Sequence, residues 1–196
     1  MATSAQIIEV AQEYIQKVGF HAFSYRDIAE RVGIRTASIH YHFPRKADLA
    51  RAIVDRVRAA TAAAIAEIDS SRAPAGERLR SFCGLFLETW GEGDRLCPMC
   101  MLAMGQEAIP AEVQRGVRDF WQGGEAWVSR TVADGQASGE FRPDIDPRTV
   151  GRTFVAALEG AMVAARAFSD RTRIEDVIDH LMDSVTVRRT GGTGAV

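Results

Sequence analysis

Apolar residues recur every three or four positions along most of the chain, which is the spacing of one face of an α-helix. No segment alternates apolar and polar residues in the manner of a half-buried strand. The fold class predicted is therefore all-α. The pattern predicts about nine helices, at roughly 4–18, 24–32, 36–43, 46–68, 75–90, 97–104, 110–136, 146–168 and 173–187.

The segment SYRDIAERVGIRTASIHYHFPRK holds two short predicted helices and the turn between them. Ser24 is a preferred helix N-cap, and Gly33 stands where a chain leaving a helix often needs a positive φ. Ile39 and Phe43 are expected to form the buried stripe of the second helix, whose other positions carry hydrogen-bonding side chains. This arrangement predicts a helix-turn-helix whose second helix enters the DNA major groove.

These residues resemble the DNA-binding head of the tetracycline-repressor (TetR) family of transcriptional regulators, and the resemblance covers about 7–49. It is carried by the Gly33-Ile34 turn, the polar start of the second helix, the run His40-Tyr41-His42-Phe43, and Lys46. Arg35 and His40 depart from the pattern, since many members have a small hydroxyl residue and a tyrosine there. The resemblance implies a DNA-binding head, at 1–46, joined to a helical ligand-binding and dimerisation body, at 47–187.

Side chains around the second helix suit DNA contacts. Hydroxyls and a methyl group match base edges, whereas basic and aromatic side chains at the flanks match phosphates. Arg26 is the main candidate for a guanine or phosphate contact, and Arg35 could take either role. The predicted DNA-binding residues are Ser24, Arg26, Arg35, Thr36, Ala37, Ser38, His40, Tyr41, His42 and Lys46. His40 and His42 are two positions apart and point to different sides of a helix, so no metal site is predicted there.

The charge distribution agrees with this placement of the DNA-binding surface. The formal net charge is −2, yet residues 1–58 hold nine Lys/Arg against six Asp/Glu, and residues 59–196 hold fifteen against twenty. The positive excess coincides with the helix-turn-helix and indicates a local phosphate footprint. Because no run approaches about 18 apolar residues and no signal-peptide pattern is visible, we expect a cytoplasmic protein without a membrane span. The last residues, 188–196, are rich in Gly and Thr and are predicted to be disordered.

The motif Cys97-Pro98-Met99-Cys100 leaves three interpretations open. A CxxC occurs in thiol-disulfide oxidoreductases, but there it accompanies a βαβ unit, and no strands are predicted here. A redox or electrophile sensor needs an exposed thiol with a lowered pKa. The third interpretation is that these cysteines, like Cys83, are small buried apolar residues. Zinc would need about four ligands, so we predict no metal site. Nothing else in the sequence supports a catalytic site, and we predict no cofactor and no enzymatic activity.

The predicted body carries two further sets of candidate residues. Aromatic and methionine side chains together are typical of adaptable pockets, and the resemblance implies an inducer pocket in the body. The predicted ligand contacts are Phe82, Phe86, Trp90, Cys97, Met101, Met104, Phe120, Trp121, Trp127 and Phe154. The broad apolar faces of the last two helices are expected to pair with those of a second copy. The predicted homodimer interface is Val150, Phe154, Leu158, Met162, Ile174, Val177, Ile178, Leu181 and Val185.

The resemblance and the helical layout together predict a transcriptional repressor, dimeric on palindromic double-stranded DNA and released by a small apolar or aromatic inducer. The long helix at 46–68 would carry the signal from the body to the head. A repressor that senses oxidants or electrophiles through Cys97 and Cys100 is the alternative, and a thiol-disulfide oxidoreductase is the third hypothesis. Whether the protein represses or activates transcription stays open, because the direction of the effect depends on where the operator lies.

Overall fold

The computed structural model describes residues 4–91, 95–105 and 109–187, and these ranges hold nine α-helices. They are α1 (Ser4–Val18), α2 (Tyr25–Val32), α3 (Thr36–His42), α4 (Lys46–Ser70), α5 (Ala75–Trp90), α6 (Pro98–Met104), α7 (Ala111–Ser138), α8 (Pro147–Phe168) and α9 (Thr172–Val185). The prediction of an all-α protein is confirmed, and the only β-type pairing in the described ranges is an isolated bridge between Phe141 and Thr186. The tail predicted to be disordered, 188–196, lies outside the described residues.

The first three helices form a small head around side chains that are fully buried. Ile7 and Ile15 on α1 pack with Ile28 on α2 and Ile39 on α3, and none of the four has measurable exposure. Their spacing puts each on the inner face of its helix, so the head has its own apolar core. Outside this core, an ion pair between Arg31 and Glu13 joins α2 to α1.

The body consists of α4 to α9, and its helices approach closely where glycines remove side chains. A Cβ added to Gly135 would lie 2.1 Å from the Phe141 ring, and one added to Gly151 would lie 2.4 Å from the Glu125 carbonyl oxygen. Both positions therefore require glycine for the packing around α7 and α8. The helix α7 runs without interruption through the glycine pair at 123–124.

The apolar faces of α8 and α9 are used inside the single chain. Seven of the nine residues predicted for the dimer interface are buried in it, namely Phe154, Leu158, Met162, Ile174, Ile178, Leu181 and Val185. They pack because α8 lies against α5, α7 and α9, and α9 also contacts α5. This corrects the expectation that the faces await a second copy; Val150 and Val177 are half-buried.

No helix in the described ranges combines the length and the apolar character that crossing a membrane requires. The longest, α7, has 28 residues but carries charged side chains along its length.

Candidate nucleic-acid interface and internal cavity

Hydrogen bonds cap both ends of α2, the helix that precedes the turn to α3. The backbone N–H of Asp27 donates to the Ser24 hydroxyl, and the Asp27 carboxylate accepts from the Ser24 backbone N–H at 2.7 Å, which completes a capping box. These hydrogen bonds hold the pKa of Asp27 below its usual value. At the other end, Gly33 takes φ 76° and its N–H donates to the Ala29 carbonyl. The Gly33 cap ends α2 and begins the turn that leads into α3.

Tyr25 ties α2 to the end of α3, a role that the sequence analysis did not assign. Its hydroxyl donates to the Phe43 carbonyl at 2.9 Å, and its ring meets His40 edge-on with centroids 4.9 Å apart. Burial, reinforced by the Asp48 carboxylate, raises the pKa of Tyr25 to about 12, so the hydroxyl remains a donor. A tyrosine at the first position of a short helix gives no distinctive sequence signal for this contact.

The outward face of α3 is polar and uncovered, as the pattern predicted. Ala37, Ser38, His40 and His42 are exposed, and Thr36 is half-buried. The buried face of the same helix is Ile39 together with the following Phe43. Tyr41 is the most prominent of the outward side chains, with 84% exposure. Its ring contacts His42 edge-on but otherwise buries little surface within the chain.

The residues around α3 differ in whether their side chains already form ion pairs or hydrogen bonds within the chain. Arg26 pairs with Glu30 one turn along α2, and both side chains are well exposed. Arg35 is exposed and has no ion pair among the described residues, so its guanidinium is available to an anion. Ser24 is exposed, but its side chain is occupied by the cap described above.

Lys46 lies away from this face. Its ammonium donates to the carbonyl oxygens of Phe20 and Phe23, and it stands 4.8 and 4.0 Å from the centroids of their rings. Desolvation lowers the pKa of Lys46, which is half-buried. The structure therefore gives this lysine a packing role between the head and the start of α4, where the sequence suggested a phosphate contact.

The body has a partly open cavity of about 70 Å³ between α4, α5, α7 and α8, with the N-cap of α6 in its wall. The residues that line it are Thr61, Phe82, Leu85, Phe86, Thr89, Cys97, Phe120, Trp121, Gly124, Val155 and Glu159. Five of the ten predicted ligand contacts are among them: Phe82, Phe86, Cys97, Phe120 and Trp121. The other five do not line it: Trp90, Trp127 and Phe154 are buried elsewhere in the core, Met101 is half-buried and Met104 is exposed.

Glu159 is the one acidic group that the described residues contribute to the cavity wall, and the sequence analysis missed it. It is 4% exposed, and the thiols of Cys97 and Cys100 lie within hydrogen-bonding reach of its carboxyl. Desolvation by burial raises the pKa of Glu159 to about 7, against the opposing effect of the two thiols. The available signal was helical spacing, since Glu159 follows the buried Val155 by four residues and precedes the buried Met162 by three.

The three cysteines are free thiols, and burial works against their ionisation. It raises the pKa of Cys83 and of Cys100 to about 12, and that of Cys97 well above its usual range, with the Glu159 carboxyl adding to the effect at the last two. A reactive thiolate needs the opposite shift. Among the described residues, no cluster of His, Cys, Asp or Glu could hold a metal ion.

The head and the body meet at the end of α1. The Gln16 side chain donates to the Leu96 carbonyl at 3.2 Å, and the Leu96 N–H donates to the Gln16 carbonyl at 3.4 Å. Arg166 on α8 also donates to the carbonyl oxygens of Gln16 and Lys17. Leu96 directly precedes Cys97, so the cavity wall is one residue from a contact with the head.

Comparison with known families accounts for most of the chain. The family model described as "Bacterial regulatory proteins, tetR family" matches residues 7–53, and that of the "Tetracyclin repressor-like, C-terminal domain" matches residues 75–181. The first match includes α2 and α3, and the second includes α5 to α8 and most of α9.

Solved structures and curated proteins give the same result. A TetR-family transcriptional regulator from Agrobacterium tumefaciens is 30% identical, with a TM-score of 0.89 over 94% of this chain and 97% of that one. A TetR transcriptional regulator from Legionella pneumophila is 27% identical, with a TM-score of 0.86 over 95% of this chain and 98% of that one. The HTH-type transcriptional regulator TtgR of Pseudomonas putida is 42% identical over 53 residues, which are 27% of this chain and 25% of that protein. The match to this curated relative thus spans a quarter of its length.

Proposed function

Because the chain belongs to the tetR family of bacterial regulatory proteins, and is a transcriptional regulator, we propose that it is a dimeric repressor that binds a palindromic operator and is released by a small molecule in its body. The observation that carries the proposal is the uncovered polar face of α3, with the exposed Tyr41 at one end and, at the other, Arg35, which has no ion pair among the described residues. The head is proposed to span 1–46, and the ligand-binding and dimerisation body 47–187.

DNA contacts are proposed for the exposed side chains of α3 and its flanks. Ala37 and Ser38 would meet base edges, because the first residues of a recognition helix reach into the major groove. Arg35 and Tyr41 would contact phosphates on either side of the groove. Lys46 is left out of the proposed contacts, since its ammonium is bound to two carbonyls inside the protein.

Dimerisation is proposed through the outward surface of α8. Its exposed positions follow the spacing of four and three residues that keeps a stripe on one face, and most are small: Thr149, Thr153, Ala156, Gly160, Val163 and Ala167. Small side chains let a second helix approach closely, and a Cβ added to Gly160 would meet open space. A two-fold dimer would set its two copies of α3 in successive major grooves, about 34–36 Å apart.

Transmission from body to head is proposed through two routes. The helix α4 runs from the head into the cavity wall, where Thr61 lies. The hydrogen bonds between Gln16 and Leu96 form the second route, next to Cys97. A ligand that favours one arrangement of these contacts must weaken DNA binding by the same factor by which DNA weakens ligand binding.

The thiol-based alternatives receive no support from the geometry. A sensor would need an exposed thiolate, but Cys97 is buried and the pKa of each cysteine is raised. An oxidoreductase would need the same low pKa at the helix start. The proposal therefore assigns the cysteines to the cavity wall and to packing.

Titration against DNA selected from a random duplex pool tests the proposal. We expect saturable binding with a negative salt dependence, and Arg35→Ala should weaken binding and lessen the slope of log K against log salt by about one. Arg118→Ala, at an exposed arginine on α7 in the body, is the matched control and should leave both unchanged. Failure to select any sequence, or equal effects of the two variants, would refute DNA binding through α3.

A further inference from the structure

Two polar atoms of residues in the cavity wall have no hydrogen-bond partner within the part of the chain that the structure describes. They are Glu159 Oε2 on α8 and Trp121 Nε1 on α7, and both atoms are buried. A buried polar atom without a partner costs free energy, so such atoms are rare unless a bound group satisfies them. Both belong to residues that line one cavity, although neither atom has accessible surface in the cavity's present form, so a group that widens the cavity would meet an acceptor and a donor.

The side chains of the wall also favour a ligand charge of one sign. Among the described residues, its lining includes one carboxyl group and no lysine, arginine or histidine. Four aromatic side chains line the same cavity as the carboxyl: Phe82, Phe86, Phe120 and Trp121. The faces of aromatic rings attract cations, and the attraction strengthens where water is excluded. Both features favour a positive charge in the cavity and oppose a negative one.

We propose that the cavity binds a small lipophilic organic cation, whose charged nitrogen lies at Glu159 Oε2 and whose apolar part lies among the phenylalanine rings. The inference rests on the proposed ligand response and specifies the class of ligand that produces it. A protonated amine would satisfy the carboxylate by donating a hydrogen bond, and an acceptor on the ligand would satisfy the Trp121 N–H. Glu159 and Trp121 together therefore favour ligands that carry a positive charge and, secondarily, a hydrogen-bond acceptor.

The size of the cavity links binding to a change of shape. A cavity of about 150 Å³ accommodates a benzene ring, whereas this one measures about 70 Å³. A ring can enter only if half-buried rim side chains such as Phe86, Phe120 and Trp121 move. A ligand therefore binds the widened state more tightly than the closed one, which is the differential affinity that any allosteric effect requires.

The displaced wall includes the junction with the head. Cys97 lines the cavity and reaches the Glu159 carboxyl, and its neighbour Leu96 holds the two hydrogen bonds to Gln16. A cation that draws Glu159 toward itself competes with the thiols of Cys97 and Cys100 for the carboxyl. The start of α6 is thereby freed to shift, and the end of α1 with it.

Calorimetric titration of the full chain with matched ligands tests the proposal. The ligands are 2-phenylethylamine, phenethyltrimethylammonium, neutral propylbenzene and 3-phenylpropionate, which share the ring and differ in charge. We expect the amine to bind at least about tenfold more tightly than propylbenzene, and the anion most weakly. Equal affinity of the anion and the amine, or no binding of either cation, would overturn the proposal.

The variant Glu159→Gln keeps the shape of the side chain and removes its charge. It should reduce the affinity for the amine to that for propylbenzene and leave the affinity for propylbenzene unchanged, which also shows that the cavity is intact. Glu88→Gln, at an exposed acid next to the lining residue Thr89, is the matched control and should change neither. An unchanged ratio of amine to propylbenzene affinity in Glu159→Gln would overturn the assignment to this carboxyl.

Operator affinity measured with the same ligands separates this inference from the proposed function. If the amine binds through Glu159 and DNA affinity does not change, the ligand class is supported and the proposed induction fails. If DNA binds and no cation does, the ligand class fails while the DNA-binding proposal is supported. Release of DNA by the amine in the unmodified protein, with none in Glu159→Gln, supports both.

Discussion

Glu159→Gln should stabilise the folded protein at alkaline pH and have much less effect at acid pH. The carboxyl is 4% exposed, one of its oxygens has no partner, and burial raises its pKa from 4.5 to about 7. The titratable groups that face it are the thiols of Cys97 and Cys100, which do not ionise over this range. The free energy of unfolding should therefore respond to the carboxyl alone at this site.

The sign follows from the raised pKa in the folded state. Below pH 4.5 the carboxyl is protonated in both the folded and the unfolded chain and does not affect the pH dependence. Between the unfolded value and about 7, the unfolded chain loses its proton first, so stability falls as pH rises and then levels off. At about 1.4 kcal/mol per pH unit, the full loss is about 3 kcal/mol, of which most falls between pH 5 and 8.

Denaturant unfolding of both proteins at pH 5 and pH 8 measures this loss. Glutamine stays neutral, so the stability of Glu159→Gln relative to the unmodified protein should rise by about 2–3 kcal/mol between the two pH values. Any cost of placing an amide in the site is the same at both and cancels. Glu88→Gln is the control for an exposed carboxyl. A stability difference that stays constant from pH 5 to pH 8 would refute the reasoning.

Three further substitutions test the packing and the head–body contact. Tyr25→Phe leaves a carbonyl at the end of α3 without its hydrogen bond and should cost about 1 kcal/mol of unfolding free energy in denaturant melts, with weaker DNA binding. Gly135→Ala puts a methyl group 2.1 Å from the Phe141 ring and should lower the melting temperature sharply, whereas Gly84→Ala, with open space around it in α5, should raise it slightly. Gln16→Ala removes the side-chain hydrogen bond to the segment before α6, so a ligand should alter DNA affinity by a smaller factor in paired titrations; an unchanged factor would count against this contact as a route.

The features that sequence reasoning could predict are those decided over a few residues. Ser24 and Gly33 fix the ends of α2 through hydrogen bonds to residues at most four positions away, so their residue types are sufficient signals. Ile39 and Phe43 are buried as their spacing indicated. The helix-turn-helix was therefore predictable in both structure and exposed face.

The features that could not be predicted depend on contacts between distant parts of the chain. Periodicity showed that α8 has an apolar face but not whether α7 and α9 or a second copy covers it, so seven residues expected to contact a second copy are buried within one chain. Lys46 looked like a phosphate contact because the loop that captures it lies more than twenty residues earlier. Glu159 can be recognised as a cavity residue only in the folded chain, where the start of α6 places two thiols beside its carboxyl.

The hydrogen bonds of Lys46 connect the head to the first residue of α4. Because this lysine is the first residue of α4 and its ammonium is held by Phe20 and Phe23, the head is fastened to the end of a rod 25 residues long. Such a rod measures about 37 Å, so a tilt of about 5° at the body end swings the head by about 3 Å. In the proposed dimer the two displacements would add, so a small shift of the cavity wall would be enough to change the spacing of the two recognition helices relative to the pitch of DNA.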